Sequence, residues 1–444
     1  MKKPLALITD LIEDARKAGA DAADALLYSS TSISVSRRMR QPEGLERSEN
    51  SGIGLRVFVG NRSATVSSSD TSPQTLREML ERAVAMAKLA PEDPYSGLAP
   101  APLLAKNIAE LDLYDAKEPK PEWLQEQCAK AEDAALCVEG ITNSEGADAS
   151  YSSTEFTLAT SNGFARSYKT SNASVSVSVL AGTGTGMERD YDYSSARFVS
   201  DLSDAGTIGI NAAHKALARL NPRKVSTQNV PIVFDPRVSK GLLGSFAGAI
   251  NGSAIARGTS FLKDAMGNAI FNENVSIIDD PHRKRGQGSK PFDGEGVANQ
   301  KTVLVENGVL KSWVLDMRSA SKLGLATTGH ATRGLSSPPS PSTTNLYLAT
   351  GELTPQELIS DIKSGFLVTE VFGMGVNLVT GDYSQGASGF WIENGDKAYA
   401  VSEVTIAGKL QDMFKRLTPA NDLEFRYSTN APTLRVEGMM VAGL

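Results

Sequence analysis

Residues 240–260 carry the feature that most constrains this chain, a helix-like segment in which glycine recurs at regular intervals. Gly241, Gly244, Gly248 and Gly252 are separated by three, four and four residues, a spacing that aligns them on one face of an α-helix. Each glycine destabilises a helix interior by roughly 1 kcal/mol relative to alanine. We therefore predict that other atoms pack very close to this helix backbone. The segment has no residue suited to hold a metal or to activate a water molecule.

Length and composition are those of an ordinary globular protein. The 444 residues are enough for two or three domains, with 41% hydrophobic and 22% charged residues. The net charge of −6 gives no global field that favours nucleic acid. Cys128 and Cys137 are predicted to lie on different faces of one helix, so we expect no disulfide between them. Two thiols in so long a chain fit a reducing compartment.

No targeting or membrane-spanning segment is predicted. The first residues lack the pattern of a signal peptide. The longest uncharged run near a helix, residues 241–256, is too short and too rich in Gly, Ser and Asn to cross a membrane. We expect a cytoplasmic protein that binds neither nucleic acid nor membrane.

Hydrophobic periodicity predicts an α+β fold of mainly antiparallel sheets with packed helices. The order helix, several strands, helix occurs twice, over about residues 1–90 and 121–222, and a proline-rich linker at 91–120 joins the two halves. We interpret this as a weak internal repeat within an N-terminal domain, residues 1–222. A C-terminal domain, residues 223–444, is predicted to place strands around the glycine-rich helix.

Histidine is too scarce for an obvious metal site, because His214, His282 and His330 are far apart and none has a partner at ligand spacing. His214 lies in an alanine-rich helix and is interpreted as structural, and an exposed turn is favoured for His282. His330 lies in a loop rich in Gly, Ser, Thr and Pro at 327–341. It is the best functional candidate of the three, although a role in bracing that loop is somewhat favoured. The chain has no Gly-x-Ser-x-Gly motif.

Two further segments are distinctive. Residues 379–395 combine several glycines with Asp382, Tyr383 and Trp391, which predicts backbone exposed beside a ligand or an interface. A tight hairpin with packed aromatic side chains is the alternative, and it stays open. Residues 186–192 are acidic and aromatic, and we interpret them as a solvated strand end.

Residues 382–395 (Asp-Tyr-Ser-Gln-Gly-Ala-Ser-Gly-Phe-Trp-Ile-Glu-Asn-Gly) resemble the signature of the TldD/TldE metallopeptidase family. The resemblance is to the TldE (PmbA) branch, whose members are also called modulators of DNA gyrase, and it runs through nearly the whole chain. Other stretches similar to that branch are residues 186–191, 221–224, 291–297, 322–325, 328–330 and 401–408.

The resemblance implies one component of a two-component zinc metallopeptidase that degrades or processes unfolded peptides. In this family the TldD-type subunit carries His-Glu-x-x-x-His on a helix and a further cysteine ligand near its C-terminus. Counting back from the shared Gly-Thr-Ser at 258–260, these positions fall here on Leu243, Gly244 and Gly248, and residues 421–444 contain no cysteine. The resemblance therefore implies that this chain binds no metal or other cofactor, and that zinc belongs to a TldD-type partner.

The leading hypothesis is a non-catalytic subunit that shapes the peptide cleft for a TldD-type catalytic subunit and is inactive alone. An unfolded peptide would run along the smooth helix face and be held by strand addition. The candidate cleft residues are Gly252, Arg257, Gly258, Thr259, Ser260, His330, Asp382, Tyr383 and Trp391. An isolated subunit that pairs with itself would not exclude a heterodimer in the cell.

Two other functions stay open. The chain could be a stand-alone peptide hydrolase that uses His330, Asp382 or Glu393. It could instead be a regulatory protein that binds a folded target such as DNA gyrase. The sequence does not decide whether the chain is an enzyme by itself, nor does it reveal a natural peptide substrate.

Overall fold

Helices and strands alternate along residues 3–443, the part of the chain described by a computed structural model. The helices are α1 (Pro4–Lys17), α2 (Pro73–Leu89), α3 (Pro121–Leu136), α4 (Ala205–Ala218), α5 (Pro236–Ala249), α6 (Gly252–Arg257), α7 (Met317–Leu323), α8 (Pro355–Ile359) and α9 (Leu410–Lys415). The strands of the first half are β1 (Ala22–Arg38), β2 (Gln41–Val59), β3 (Arg62–Ser68), β4 (Ile141–Thr160), β5 (Ala165–Ala181) and β6 (Glu188–Ala196). Those of the second half are β7 (Gln228–Phe234), β8 (Ile277–Asp279), β9 (Thr302–Glu306), β10 (Val309–Leu310), β11 (Ala331–Thr332), β12 (Ser340–Pro341), β13 (Leu346–Leu348), β14 (Ser364–Phe372), β15 (Val376–Asn377), β16 (Asp382–Glu393), β17 (Asp396–Lys409), β18 (Leu417–Pro419), β19 (Thr429–Asn430) and β20 (Leu434–Ala442).

One antiparallel sheet of order β3-β2-β1-β4-β5-β6 organises the first half of the chain. Helices α1 and α2 pack mainly on β1, β2 and β3, with α1 also contacting β4, and α3 and α4 pack mainly on β4, β5 and β6, with α3 also contacting β1. The predicted repeat of helix, strands and helix is therefore confirmed. Strand β1 pairs with β4 from Asp24 opposite Thr160 to Arg37 opposite Ala147, so the two repeats share one continuous sheet.

The long strands contribute side chains to two separate hydrophobic cores. The first part of β1, around Ala25, packs with α1 and α2, whereas Ile33 and Val35 further along the same strand pack with α3 and α4.

Local sequence signals mark where these helices begin. In α2, for example, the Ser72 side chain caps the helix by accepting a hydrogen bond from the Thr75 N–H, and Pro73 occupies the first turn.

A closed sheet forms the second half. Strand β14 pairs with both β7 and β16, and the order β14-β7-β20-β17-β16 returns to β14. Helix α5 contributes Leu242, Leu243, Phe246 and Ala249 to the core that this sheet surrounds. A second sheet has the order β10-β9-β8-β13-β19. The predicted α+β class, with antiparallel strands around a glycine-rich helix, is confirmed.

The prediction of one continuous helix over residues 240–260 is wrong. Helix α5 ends at Ala249, and α6 begins at Gly252 after a break at Ile250 and Asn251. The Asn251 backbone is extended and its side chain accepts a hydrogen bond from the Ser253 N–H, which is the geometry of an N-cap. Because of this break, the four glycines do not share a single helical face.

The predicted close approach occurs at two of the four glycines. A Cβ built on Gly252 would lie 2.6 Å from Leu315 Cδ2 and 2.7 Å from the Val314 carbonyl oxygen. A Cβ on Gly248 would lie 2.7 Å from Leu378 Cδ1. Gly241 and Gly244 would meet no atom within 4 Å, so these two positions face open space.

A loop of the second half docks onto the sheet of the first. A Cβ on Gly54 of β2 would lie 2.2 Å from the carbonyl oxygen of Leu335, so glycine is needed for this approach. Nearby, the buried Asp24 carboxylate accepts hydrogen bonds from Arg56 and from Arg333 of that loop. The two halves are therefore joined by a packed and charge-paired junction.

The remaining local predictions concern thiols and membrane segments. Cys128 is buried and Cys137 exposed, and both are free thiols. Burial raises the pKa of the Cys128 thiol to about 12, which leaves it unreactive. Within residues 3–443, every helix is too short or too polar to cross a membrane.

Candidate functional site

The three positions that the sequence resemblance assigned to zinc-site residues provide no metal donor. Leu243 is only 3% exposed and packs in the hydrophobic core. Gly244 is exposed, and Gly248 lies under the side chain of Leu378. Zinc requires nitrogen, sulfur or carboxylate ligands, and none is present at these positions. Throughout residues 3–443, moreover, no group of three or more His, Cys, Asp or Glu could hold a metal ion. The residues therefore do not fit the zinc ion of the family.

The candidate cleft residues around α6 fall into two groups. Arg257, Gly258 and Thr259 are exposed where α6 ends, and Gly258 terminates the helix with φ +72°. Gly252 and Ser260 are buried. The Ser260 hydroxyl donates to the Ala249 carbonyl oxygen at 2.5 Å and accepts from the Leu262 N–H at 3.0 Å, so it joins the end of α5 to the following loop.

His330 braces the loop that contains it. Its ring is 2% exposed, with Nε2 3.1 Å from Asp279 Oδ2 and Nδ1 2.9 Å from the Thr328 carbonyl oxygen. Asp279 also accepts a hydrogen bond from the Thr344 N–H. The imidazole thus connects β8 to its own loop, Asp279 connects β8 to the loop at Thr344, and the His330 ring is inaccessible to solvent.

The candidates on β16 are not gathered into one site. Asp382 is exposed and forms an ion pair with Lys409, with 2.8 Å between Oδ1 and Nζ. Tyr383 and Trp391 are buried in the core of the closed sheet, at 5% and 4% exposure. Packed aromatic side chains in a β-hairpin, the alternative left open for this segment, describe what the structure shows.

The three residues of a stand-alone hydrolase are also far apart. Asp382 and Glu393 are the first and last residues of β16. At a rise of about 3.3 Å per residue, their backbones are roughly 35 Å apart. His330 is buried and bonded to Asp279. These side chains cannot act together on one peptide bond.

A cleft that sequence reasoning missed lies between the two halves of the molecule. It consists of two adjoining cavities of about 850 and 320 Å³ that share Asp190, Tyr191, Arg237 and Thr369 in their walls. Strand β6 and helix α4 form one side, and α5 and β14 form the other. Residues 186–192, interpreted from sequence as a solvated strand end, instead contribute residues 189–192 to the wall of this cleft.

Strand β6 presents its edge to the cleft. Four consecutive residues, 190–193, line the larger cavity. Successive side chains of a strand point to opposite faces, so a cavity that contacts four in a row runs along the edge. Among the strands of residues 3–443, β6 pairs with β5 alone, so its other edge has no strand partner there. Asp190 and Asp192 point towards α4, where they pair with Arg219 and Lys215.

A charge network crosses the smaller cavity. Asp190 is 2% exposed and accepts two hydrogen bonds from Arg237 on α5, at 2.7 and 3.0 Å. Burial alone would raise the pKa of Asp190, but the hydrogen bonds and positive charge of Arg237 outweigh it and lower the pKa. The Nη1 atom of Arg219, the residue that follows α4, lies 2.6 Å from Oε2 of Glu370 in β14. The network holds the two walls of the cleft together.

Aromatic side chains line the same cleft. The rings of Tyr191 and Tyr193 stack at 6.2 Å, and Tyr193 lies 5.9 Å from Tyr427. Burial and a hydrogen bond with Tyr427 raise the pKa of Tyr193. The Nζ atom of Lys240 lies 3.4 Å from the centroid of the Tyr427 ring. The cleft therefore offers aromatic surface, a strand edge and cationic groups together.

Comparison with known proteins identifies the class. Residues 23–87 match PmbA/TldA metallopeptidase domain 1, residues 114–220 match the central domain, and residues 227–443 match the C-terminal domain. These matches define a chain of metallopeptidase type. It belongs to the PmbA/TldD family, as the sequence motifs predicted.

Individual relatives cover almost the full length. The metalloprotease PmbA of Escherichia coli O157:H7 is 37% identical over 95% of this chain and 92% of its own. A Bacteroides thetaiotaomicron protein named as a modulator of DNA gyrase superimposes with a TM-score of 0.91 at 29% identity, covering 99% of this chain and 98% of that one. TldE from Thermococcus kodakarensis has the same fold, with a TM-score of 0.87 at 22% identity over 98% of this chain and 100% of that one.

Proposed function

We propose that this chain is the non-catalytic subunit of a two-component zinc metallopeptidase that degrades or processes unfolded peptides. A TldD-type partner supplies the zinc ion and the catalytic glutamate. This chain completes and encloses the peptide cleft. We place the complex in the cytoplasm, because two free thiols fit a reducing compartment.

The proposal rests on the residue types found at three positions of α5. Leu243 is a core residue, and Gly244 and Gly248 have no side chain. A metallopeptidase needs ligands for its metal and a base for the attacking water, and this helix provides neither. The chain nevertheless matches the family along nearly its whole length, which supports a retained role within the complex.

The test is reconstitution from purified components. We expect the chain alone to contain no stoichiometric zinc by elemental analysis and to leave an unfolded peptide intact. Adding a TldD-type subunit should produce peptidase activity. A partner whose His-Glu-x-x-x-His glutamate is replaced by glutamine is the matched control, and it should give an inactive mixture. Stoichiometric zinc in the isolated chain, or hydrolysis by it, would overturn the proposal.

A stand-alone hydrolase is disfavoured by the separation of His330, Asp382 and Glu393 along the fold. A regulator that binds a folded target in the cleft is disfavoured because the cleft is too small for a domain. Co-purification with the partner or with gyrase separates these functions. Self-pairing of the isolated chain is compatible with the proposal.

A further inference from the structure

The smaller cavity of the cleft is lined by charged side chains, and all but one of them have a partner of opposite charge. The paired cations are Arg189, Arg219 and Arg237, whose acidic partners include Asp190 and Glu370. The exception within residues 3–443 is Lys240, for which no carboxylate lies within the 4.0 Å limit of an ion pair. Among the described residues, Lys240 is therefore the one cation of the smaller cavity outside any ion pair, and Lys397 is a second such cation in the larger cavity.

The position of Lys240 makes that charge available. Lys240 lines the smaller cavity, and Tyr427, which its Nζ atom contacts, lines the larger one. A cation–π contact orients an ammonium group without neutralising its charge. The next residue, Gly241, also lines the cavity, and no atom lies within 4 Å of where its Cβ would be. An anion can approach the ammonium group over this open backbone.

The other wall fits an extended chain. Apart from the Tyr191 N–H, which donates to Asp190 Oδ1 at 2.8 Å, the backbone N–H and carbonyl groups along the free edge of β6 can pair with an added strand. Thr369, which lines both cavities, has a buried hydroxyl without a hydrogen-bond partner among the described residues. Tyr191 and Tyr193 provide aromatic surface for side chains of such a strand. These features suit an unfolded polypeptide, and the cavity volume excludes a folded one.

We propose that this chain has its own peptide-binding site, in which an extended peptide lies along β6 with one of its carboxylates bound by Lys240. The carboxylate is either the C-terminus of the peptide or an acidic side chain near it. The assignment deepens the proposed function, on which it rests for the identity of the peptide as substrate. It adds a selectivity for acidic peptide ends to the non-catalytic subunit.

The experiment measures binding of fluorescent, unstructured peptides to the full chain by anisotropy at low salt. One peptide has a free C-terminus, a second is amidated, and a third is amidated with a glutamate as its penultimate residue. We expect the free acid to bind about tenfold more tightly than the plain amide, as for a hydrogen bond to a charged group. Tight binding of the third peptide would identify a side chain as a sufficient source of the carboxylate.

Two variants test whether Lys240 causes the preference for the free acid. Lys240→Met keeps the length of the side chain but removes the charge, so the acid and the amide should bind equally. Lys311→Met is the matched control, because Lys311 is exposed and lines neither cavity, and it should keep the tenfold preference. Peptides N-methylated at alternate residues should bind at least tenfold more weakly, since they cannot complete strand pairing with β6.

The proposal is overturned if the wild-type chain binds no peptide, if it does not prefer carboxylates, or if Lys240→Met keeps the preference. Unchanged binding of N-methylated peptides would overturn the alignment along β6. Each of these results leaves zinc content and reconstituted activity unaffected. The proposal of a peptide site and the proposal of a non-catalytic role can therefore be disproved independently of each other.

Discussion

The side chain of Leu378 fills the space above Gly248, where Cδ1 would lie 2.7 Å from a Cβ built on the glycine. Leu378 is held in place because its carbonyl oxygen accepts a hydrogen bond from the Phe261 N–H, and because it packs against the core of the closed sheet. The volume that a second histidine ligand would need is thus occupied. Packing as well as residue type therefore leaves no room for a metal ligand at Gly248.

We predict that restoring the motif does not restore the metal. The triple variant Leu243→His, Gly244→Glu and Gly248→His should contain no stoichiometric zinc by elemental analysis. It should also lose about 2–4 kcal/mol of unfolding free energy in urea, because an imidazole replaces a buried leucine and another meets Leu378. A folded variant with one zinc ion per chain would contradict the prediction.

Replacing glycines of this region by alanine should change the unfolding free energy in opposite directions, depending on the position. Gly252→Ala should destabilise the protein by about 1–3 kcal/mol, since its Cβ would meet Leu315 and the Val314 backbone within 2.7 Å. Gly244→Ala is the matched control, because open space surrounds that position in α5, and it should stabilise by roughly 0.5–1 kcal/mol. Urea unfolding of both variants is the measurement. Equal effects would refute the distinction.

The pair formed by Asp190 and Arg237 should hold the two walls of the cleft together. Asp190→Asn removes a buried carboxylate and leaves Arg237 with only the longer 3.9 Å contact to Asp235, so we expect a loss of roughly 3 kcal/mol at neutral pH. Because the pKa of Asp190 is lowered by folding, its contribution is present above the unfolded value of about 3.9. It disappears as the pH falls through the lower folded value.

The measurement is the difference in unfolding free energy between wild type and Asp190→Asn from pH 7 to pH 2. The difference should be constant near neutrality and shrink at the acid end. Asp382→Asn is the control, because that carboxylate is exposed beside Lys409 and its removal should have little effect. A pH-independent difference for Asp190→Asn would exclude the ion pair as the cause.

Much of the fold could be predicted because its signals are local. The apolar spacing of α2 and its Ser72 cap are visible within a few residues, and so is the alternation of Val175, Val177 and Val179 in β5. The break at Asn251 was missed because an N-cap inside a run of small residues looks like helix from sequence. Its extended backbone is fixed by the distant Val314, with which Asn251 forms a β-bridge.

The assignment of Leu243, Gly244 and Gly248 to a metal site stays a prediction, although their lack of metal donors can be read from the residue types alone. The cleft could not be, because β6 becomes a wall only when α5 and β14, far along the chain, pack opposite its edge. The alternation of Asp and Tyr over 190–193 was the available signal. It shows two faces of one strand, but not which element lies beside it.

Glu295 should make the junction between the two halves sensitive to alkaline pH. The side chain is 4% exposed, and its Oε2 accepts a hydrogen bond from the Met317 N–H at 2.9 Å. Burial, followed by the negative charge of Asp293, raises its pKa from 4.5 to about 8, with Arg56 opposing and Asp316 adding to the shift. A carboxyl whose pKa is raised by folding costs stability as the pH rises from its unfolded value through its folded one.

Glu295→Gln keeps an oxygen that can accept from Met317 but has no proton to lose. We expect wild type and Glu295→Gln to be similar in unfolding free energy at pH 4.5, which serves as the internal reference. As the pH increases from 4.5 to about 8, the wild type should become less stable than the variant by up to a few kcal/mol. The difference should level off between pH 8 and pH 9. Urea unfolding at intervals across this range tests the expectation. A difference that does not grow with pH would show that Glu295 ionises as readily in the folded chain as in the unfolded one.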